Sequence, residues 1–555
     1  MANVGNFRNR SVNAHNFSLV PRGDVPRSKF RRESGHKTTF DAGYLIPIYV
    51  DEVLPGDVWR MSCVSMTRLA TPIAPLMDNI YLDTFWFFVP NRLVWDNWVK
   101  LMGEQDDPGD SIDYLVPQIT SPEGGYETLT LYDYFGLPVA GQITGSNQVT
   151  HSALFLRAYN LIWNELFRDE NLQDRVAVPK DDGPDSPTLY TLLKRGKRKD
   201  YFTSCLPWPQ KGEPVTLSLA GDAPVYGSAL QSQFANQLWQ QGGEASAPNG
   251  TVQYSGSVAG SSFIDADSGV SASGYLKLGT KTLYEGVGAA YDPPYADLTD
   301  IAAFTINQMR TAFQIQKLIE RDARGGTRYT EMLMSHFGVV NPDFRLQRPE
   351  YLGGGSTMIN ITPIAQTSST DAETPQGNLA AVGYGVTQDS GFSYAATEHG
   401  MIIGLCSVRA DLTYQQGLHR MWSRRTRYDY YFPAFAMLGE QAVFNKEIYA
   451  QGTVADDAVF GYQERWAELR YKPSQITGLF RSTNPIPLDF WHLAQEFDGL
   501  PQLNTEFIEE NPPIERVLAV GEAAGGQQFI SDWLFKSVVA RPIPMFSVPG
   551  LIDHF

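Results

Sequence analysis

The sequence predicts a mainly β protein, and three observations support that prediction. The 555 residues include 49 Gly and 35 Pro, a composition that implies many turns. Several segments alternate apolar and polar residues with a period of two, which is typical of a strand with one buried face. The stretch Ile80–Val89, in contrast, is apolar at most positions, and we expect a strand buried on both faces.

The first third of the chain shows three strand patterns. The alternating segment Phe40–Val50 predicts the first strand, and Pro47 within it indicates an edge position or a bulge. After a turn signal, Val58–Leu69 predicts the second strand, and Ile80–Val89 is the third. Apolar residues at helical spacing then predict a helix over residues 91–102, so the buried strand should pass directly into a helix.

Further along, helical and strand patterns follow one another. Apolar residues at spacings of three and four predict helices over residues 152–169, 299–324 and 329–337. Strands are expected over Glu350–Pro363 and Gly400–Leu412, the second of which is almost wholly apolar. Because the helices are amphipathic, we expect them to pack on the outside of the sheets.

Composition limits where the protein resides. No run of about 18 apolar residues is present, and the polar, basic start of the chain lacks the apolar core of a signal peptide. We therefore expect no membrane insertion and no secretory export. The three cysteines, Cys63, Cys205 and Cys406, are odd in number and far apart, a pattern that favours reduced structural thiols in a cytoplasm.

The charge is unevenly distributed along the chain. The formal net charge is −17, but residues 1–37 carry +6, which leaves −23 on the remainder. A basic arm of this kind is a usual form for a segment that contacts nucleic-acid phosphates, and a disordered, soluble leader is an equally good interpretation. The basic residues of the arm are Arg8, Arg10, Arg22, Arg27, Lys29, Arg31, Arg32 and Lys37.

Two other basic runs are candidates for nucleic-acid contact. The first could bind phosphate, but a solvated loop is the more common role for such a run. Its members are Lys194, Arg195, Lys197, Arg198 and Lys199. The second run suits base stacking with phosphate contacts or a subunit interface, and the interface is favoured. Its arginines are Arg424, Arg425 and Arg427, beside Trp422, Tyr428 and Tyr430.

A segment rich in small residues divides the chain. Residues 221–290 contain 12 Gly and 10 Ser among 70 residues, which predicts a surface insertion rather than packed helices. Its spaced aromatic residues favour an ordered protrusion over a linker. We therefore divide the chain into an arm (1–37), a first structural part (38–220), the insertion (221–295) and a second structural part (296–555).

The sequence holds no recognisable catalytic apparatus. It contains no HExxH, CxxC, GxSxG or phosphate-binding loop motif, and its eight histidines are scattered. Carboxylate pairs such as Glu104/Asp106 and Glu398/Asp411 could serve a glycosidase, but a chain with 61 acidic residues yields such pairs by chance. We expect no enzyme activity, no metal site and no cofactor.

Five long motifs resemble the major capsid proteins of gokushoviruses, which are small icosahedral single-stranded DNA phages of the microvirus group. The first is FWFFVPNRLVWDNW, from Phe85 to Trp98. The others follow in the order of the family: YFTSCLPWPQKG (201–212), PEYLGG (349–354), HGMIIGLCSVR (399–409) and YQERWAELRYKP (462–473). Together they span nearly the whole chain.

The resemblance implies an eight-stranded antiparallel jelly roll with long helix- and loop-containing insertions. It also implies a T=1 icosahedral shell with one capsid protein per asymmetric unit and with threefold and fivefold contacts between copies. The implied partners are packaged single-stranded DNA, a small basic DNA-binding phage protein, a minor or pilot protein and a host cell-surface receptor. The virion, assembled in the host bacterial cytoplasm, is the implied location.

The insertion and the function class each leave an alternative. By the same resemblance, three insertions would meet at a threefold axis, bury Tyr254, Phe263 and Tyr275, and form a host-attachment protrusion; a lateral loop that seals subunit contacts is the alternative. In place of a shell protein, a phage-borne carbohydrate-binding or glycan-cleaving β-protein is the second interpretation. A purely nucleic-acid-binding protein is disfavoured by the charge of −23 outside the arm.

Overall fold

The computed structural model describes residues 26–213, 305–365, 379–519 apart from 389, and 526–546, with short pieces at 215, 225–226, 238–240, 252–254, 295–296, 367, 370 and 377. The chain divides into two units, one of residues 1–212 with 319–555 and one of residues 213–318. In the second unit, the described strands pair antiparallel as Val225–Tyr226 with Tyr295–Ala296 and Leu238–Gln240 with Val252–Tyr254.

Eight long strands form the first unit's barrel, and all of their pairings are antiparallel. They are β1 (Ser28–Phe40), β2 (Ile46–Val53), β3 (Val58–Leu69), β4 (Ile80–Pro90), β5 (Glu350–Ala365), β6 (Leu379–Thr387), β7 (Gly400–Ala410) and β8 (Phe529–Arg541). Their spatial order is β1-β8-β3-β6-β5-β4-β7-β2. This order confirms the prediction of a mainly β, eight-stranded antiparallel jelly roll.

The barrel consists of two four-stranded sheets that share one connection. The first sheet is β1-β8-β3-β6 and the second is β2-β7-β4-β5. Strand β5 joins them, because Glu350–Ile359 pairs with β4 whereas Asn360–Ala365 pairs with β6. A short strand, Phe392–Ala395, extends β6 along β3. The barrel is thus nearly closed, with β1 and β2 as its free edges.

The second sheet is buried on both faces. Trp86 and Phe88 of β4 lie in the core between the sheets, and their neighbours Phe87 and Val89 point the opposite way into a second cluster. Every residue of β7 is buried. Side chains on both faces therefore need apolar partners, which explains the nearly continuous apolar sequence of these strands and confirms the prediction for Ile80–Val89.

The first sheet, in contrast, is covered on one face only. Buried and exposed residues alternate along β3 and along β8. Its inward side chains include Trp59, Trp533 and Phe535, which are at most 2% exposed. The outward side chains are mostly exposed in the described structure. This pattern of one buried and one exposed face is what alternation in the sequence predicts.

The part of the chain that the structure describes contains three longer helices. They are α1 (Leu154–Ile162), α2 (Ile306–Gly325) and α3 (Tyr329–Phe337), and α1 continues as a π turn over Trp163–Phe167. Helix α1 packs with the outer side chains of the second sheet, as predicted, and buries Leu156 and Tyr159 there. The predicted start of α2, residues 299–304, lies outside the described residues.

The remaining elements are short. The other helical turns are Trp98–Leu101, Leu131–Tyr134, Asn445–Ile448, Ala467–Arg470 and Thr505–Ile508. The 3-10 turns are Asn91–Leu93, Pro187–Leu189, Arg420–Ser423, Arg427–Asp429, Pro433–Phe435, Val454–Asp457, Gly478–Phe480, Asp489–Trp491 and Ile514–Val517. The other strand pairs are Gln118–Thr120 with Thr150–Ser152, Thr413–Tyr414 with Ser474–Gln475, and Glu440–Phe444 with Val459–Glu464.

Two predicted elements have the wrong extent. The helix over residues 91–102 is interrupted, because Asp96 N donates to Lys180 O at 3.0 Å and Trp95 Nε1 to Asp182 Oδ1 at 2.8 Å. These contacts hold the middle of the segment out of the helix. The strand over Phe40–Val50 is also broken, since Gly43 turns with φ of +84° and a Cβ there would lie 2.0 Å from the Glu510 carbonyl oxygen.

Strands β1, β6 and β8 were not predicted from sequence. Strand β1 includes residues 28–37 of the predicted arm, so the arm enters the barrel at Ser28. Its outward residues, most of them charged, alternate with inward residues such as Phe30 and Arg32. The strand becomes evident only from its pairing with β8, which extends over 13 residue positions. The partner lies at the far end of the chain, and local sequence therefore carries no signal for the pairing.

A close contact between two strands inside the barrel yields a test of the core. Trp86 is fully buried, and a Cβ on Gly404 of β7 would lie 2.6 Å from its ring. We expect Gly404→Ala to destabilise the subunit by about 1–3 kcal/mol, since a rigid indole cannot withdraw from a packed core. Denaturant unfolding of unassembled subunits measures the change. Gly499→Ala is the matched control because nothing lies within 4 Å of its Cβ position; equal stability of the two variants would contradict this packing.

Candidate nucleic-acid interface

The outward face of the first sheet carries a surplus of positive charge. Six basic and two acidic side chains point outward from β1, β3 and β8. The basic residues are Lys29, Arg31, Lys37, Arg60, Arg68 and Lys536, and the acidic residues are Glu33 and Asp532. We name this surface the basic face. Its charge of +4 contrasts with the net −17 of the whole chain.

Strand register places these side chains in cross-strand rows. Val538 of β8 lies between Arg31 of β1 and Arg60 of β3, so the two guanidinium groups are two strands apart. Neighbouring strands are spaced at about 4.8 Å, so the two backbones are about 10 Å apart. Neither arginine forms an ion pair in the part of the chain that the structure describes. Both charges are therefore available to an external anion.

Other basic residues of the arm serve the barrel instead. Arg32 points inward, pairs with Asp51 at 2.5 Å and lies 4.9 Å over the Trp59 ring. Arg27 donates to the Gly56 carbonyl oxygen. Lys37 pairs with Asp532 at 2.5 Å on the face itself. Of the predicted contacts in the arm, Lys29 and Arg31 thus remain on the basic face, whereas Arg8, Arg10 and Arg22 lie outside the described residues.

The run from Lys194 to Lys199 is mainly structural. Arg195 Nη1 lies 2.6 Å from Asp83 Oδ2, and Lys197 Nζ donates to the Phe507 carbonyl oxygen at 2.7 Å. Lys199 pairs with Asp169 at 2.5 Å, and Lys194 lies over the Tyr44 ring. These contacts hold the run against neighbouring segments, although Lys199 stays exposed, and phosphate contact by these residues stays a prediction. Arg198 is exposed and keeps its predicted role as a candidate.

Asp83 is the centre of this structural cluster. It receives Arg195 and also Arg409, whose Nε lies 2.8 Å from the same carboxylate oxygen. Burial raises the pKa of Asp83, but the Ser356 hydrogen bond and the two guanidinium groups outweigh burial and leave the pKa below its usual value. For Lys197, burial has the larger effect and lowers the pKa, although the nearby Glu510 carboxylate raises it. The cluster therefore pairs basic side chains that the sequence alone would place in solvent.

The arginines near residue 424 divide into two groups. Arg424 pairs with buried Glu468 at 3.3 Å, which makes it an internal residue. Arg425 and Arg427 are exposed, and Arg427 lies 5.3 Å over the Phe432 ring. The structure therefore leaves two of the three predicted guanidinium groups at the surface, among exposed aromatic side chains.

The predicted protrusion residues fall mostly outside the described part. Tyr254 ends the strand Val252–Tyr254, while Phe263 and Tyr275 lie outside the described residues. Their contact across a threefold axis stays a prediction.

Among the described residues, no group of three metal-binding side chains occurs, and no helix is long and apolar enough to cross a bilayer. Of the carboxylates considered for a glycosidase, Glu398 accepts two hydrogen bonds from Arg92, and Asp411 accepts one from Asn79 at 2.9 Å. Both therefore act as structural acceptors.

One cleft of about 590 Å³ lies at the end of the basic face. Its lining includes His36, Lys37, Arg68, Asp133 and Asp532, so two cations face two carboxylates. Burial lowers the pKa of His36, against an opposing effect of Asp133. The two cations and two carboxylates of the lining largely cancel in charge.

Three residues of the basic face were not predicted from the sequence. Arg60, Arg68 and Lys536 lie in strands and are far apart in sequence, so they form no charge run. A signal was present in β3, where both arginines occupy the exposed positions of an alternating strand. Only the pairing of β3 with β8 and β1 shows that the charges share one surface.

The buried Glu510 near Asp83 gives a test by pH. Burial raises the pKa of Glu510 from 4.5 to about 7, against opposing effects of the Ala410 amide, Arg195, Lys197 and Arg409. The folded state thus holds a proton that the unfolded state has lost, so this contribution to stability is complete below pH 4.5 and is lost as pH rises through about 7. We expect the free energy of unfolding to fall by up to about 1.4 kcal/mol per pH unit in this window.

Glu510→Gln removes the titrating group but keeps an oxygen for the Ala410 N–H. Relative to wild type, the variant should be more stable at pH 8 than at pH 5, as measured by urea unfolding at both values. Glu123→Gln, at an exposed position, is the control. A pH dependence that Glu510→Gln leaves unchanged would show that Glu510 does not titrate in this way.

Comparisons with known proteins agree with this architecture. A family model described as capsid protein (F protein) matches residues 18–551. Capsid protein VP1 of Bdellovibrio phage phiMH2K is 46% identical over 553 residues, covering 98% of this chain and 99% of that protein. VP1 of Chlamydia phage 1 is 44% identical over 605 residues, with 98% of each chain covered. VP1 of Spiroplasma virus 4 is 37% identical over 564 residues, again with 98% of each chain covered.

These matches extend over nearly the whole chain and confirm the resemblance to gokushovirus capsid proteins. The chain is a capsid protein of the phage virion, and it belongs to the F protein family of phage capsid proteins.

Proposed function

We propose that copies of this chain assemble into a closed T=1 icosahedral shell that encloses single-stranded DNA, with the basic face toward the genome. Family membership supports the shell. The observation that supports the orientation is the contrast between the two sheets. The second sheet is covered on both faces, whereas the first exposes a face of charge +4 on an acidic chain. A polyanion is the complement of such a face.

The basic face suits phosphate contact without base reading. Its free cations stand on rigid strands at fixed spacing, and small apolar residues such as Val538 lie between them. Large aromatic rings, which would stack bases, are few on this sheet; Tyr384 of β6 is one that is exposed. The affinity would therefore come from charge and would fall as the salt concentration rises.

Other phage proteins would complete the particle. A charge of +4 per copy is small relative to a packaged genome, so a small basic DNA-binding protein would share the neutralisation. Residues 1–25 of the arm, with Arg8, Arg10 and Arg22, would add to it. A minor or pilot protein and a host receptor are the remaining proposed partners. The insertion 221–295 would form the attachment surface outside the shell.

Neutralising the basic face tests the orientation. We expect the triple variant Arg31→Gln, Arg60→Gln, Arg68→Gln to assemble but to package less DNA, because three phosphate contacts are lost. With single-stranded oligonucleotides, the slope of log affinity against log salt should fall by about 2. DNA content per purified particle and fluorescence anisotropy at several salt concentrations measure these effects.

The matched control removes the same charge elsewhere. Arg345, Arg470 and Lys472 are exposed and lie outside the basic face, so their change to Gln should leave packaging unaltered. Equal losses in both triple variants would indicate a general charge effect and would overturn the proposed orientation. Negative-stain microscopy of both variants separates packaging from assembly.

Deleting residues 225–285, with a short Gly-Ser joint, tests the attachment surface. If the insertion forms an external protrusion, particles should still assemble but should no longer adsorb to host cells. Electron microscopy and an adsorption assay measure the two outcomes. Failed assembly would support the lateral-loop alternative instead, and undiminished adsorption would place attachment elsewhere on the particle.

A further inference from the structure

A second surface stands out by its exposed aromatic residues. We name residues 420–438 the aromatic loop. It contains three 3-10 turns, and buried carboxylates hold its base: Arg420 lies 3.1 Å from Glu447, and Arg424 lies 3.3 Å from Glu468. Trp466 Nε1 also donates to the Phe435 carbonyl oxygen at 2.8 Å. The loop is therefore fixed to the body of the protein.

Its outer side exposes large apolar side chains. Trp422 is 71% exposed, Tyr428 69% and Met437 97%. The Tyr428 ring lies 6.2 Å from the Phe435 ring, which is 6.3 Å from that of Phe432, so these rings are contiguous. Other exposed residues of the loop are Met421, Tyr430, Tyr431 and Leu438. Fixed, exposed apolar area rich in Tyr, Trp and Met is typical of protein interfaces.

The aromatic loop also carries two positive charges without partners in ion pairs. Arg425 and Arg427 are exposed, and neither guanidinium group lies within 4 Å of a carboxylate in the described ranges, although the Arg425 amide donates to Asp429 at 2.9 Å. Because burying an unpaired guanidinium group is costly, a partner for this loop has to bring acidic groups as well as apolar area.

A second loop of the same unit has the complementary character. Residues 102–115, here the acidic loop, contain five acidic residues and no basic residue. Asp110 Oδ2 accepts hydrogen bonds from the amides of Asp106 and Asp107 at 3.2 and 3.1 Å, which fixes the turn. Nearby, Ile112 is 44% exposed and Leu115 is 86% exposed. No carboxylate of this loop forms an ion pair among the described residues.

We propose that the aromatic loop of one copy docks on the acidic loop of a neighbouring copy in the shell. The proposal rests on the proposed assembly of copies, and it names the surface that makes the contact. Each loop offers what the other lacks: free guanidinium groups face free carboxylates, and both expose apolar side chains. The proposed contact runs head to tail, so that its repetition closes into a ring around a threefold or fivefold axis of the shell.

Charge exchange tests the pairing. We expect Arg425→Glu with Arg427→Glu to reduce the assembled fraction at least about tenfold, since like charges would meet across the contact. Asp106→Lys with Asp107→Lys should do the same. Chains that carry all four changes should recover assembly to near the wild-type level, and this recovery also shows that the variants fold. Arg345→Glu with Lys472→Glu is the control for charge alone. Loss without recovery would overturn the pairing.

A disulfide between copies provides a second test. The native thiols of Cys63, Cys205 and Cys406 are buried and will not compete. Chains with Tyr428→Cys and Ile112→Cys should form a ladder of linked oligomers on oxidation of assembled particles. The control pair, Tyr428→Cys with Val454→Cys, keeps one position and moves the other to a site that is 93% exposed outside the acidic loop.

The outcomes distinguish this contact from assembly itself. If wild-type chains form particles but the cysteine pair gives no ladder above its control, the docking proposal fails and the shell stands. If Arg425→Glu with Arg427→Glu assembles normally but loses DNA, the aromatic loop is a nucleic-acid surface and the proposal is overturned. If wild-type chains form no particle under any condition, the proposed function fails first.

Discussion

Burial of the second sheet on both faces is the constraint from which the rest of the structure follows. Strands β4 and β7 carry apolar side chains on both sides, so each face needs a separate cover. The first sheet covers one side, and α1 with its neighbouring loops covers the other. The covering segments are therefore insertions between strands, which explains why a barrel of eight strands requires 555 residues. The outer face of the first sheet keeps most of its side chains exposed in the described structure.

The barrel also depends on pairing between strands from the two ends of the described chain. Strand β8 lies between β1 and β3, and residues such as Lys37 and Asp532 meet although they are 495 positions apart. Arg541 lies 3.0 Å from Asp57 and 5.3 Å over the Trp59 ring, which Arg32 also contacts at 4.9 Å. Contacts of such sequence separation close late and slowly during folding. The basic face therefore forms only when the last strand has paired.

Sequence predicted what is local and missed what is not. The strands Val58–Leu69 and Ile80–Val89 were found because their own residues encode the burial of one face or two. Strand β1 was missed because its charged residues resemble a solvated arm until β8 pairs with it. The charge run at 194–199 shows the same limit. Its sequence favours a solvated loop, but its ion-pair partners Asp83 and Asp169 lie elsewhere in the sequence. Family resemblance supplied the topology that periodicity could not.

The distribution of charge is compatible with both proposed contacts of this acidic chain, one with its own copies and one with DNA. A net charge of −17 makes copies repel one another, but at physiological salt this repulsion is screened beyond about 8 Å. Contacts thus depend on the charges within a few ångströms rather than on the total. Internal ion pairs such as Arg195 with Asp83 remove cations from the surface, and several of the unpaired cations lie together on the basic face and in the aromatic loop. Separate surfaces can then bind separate partners, because each partner meets only the local charge.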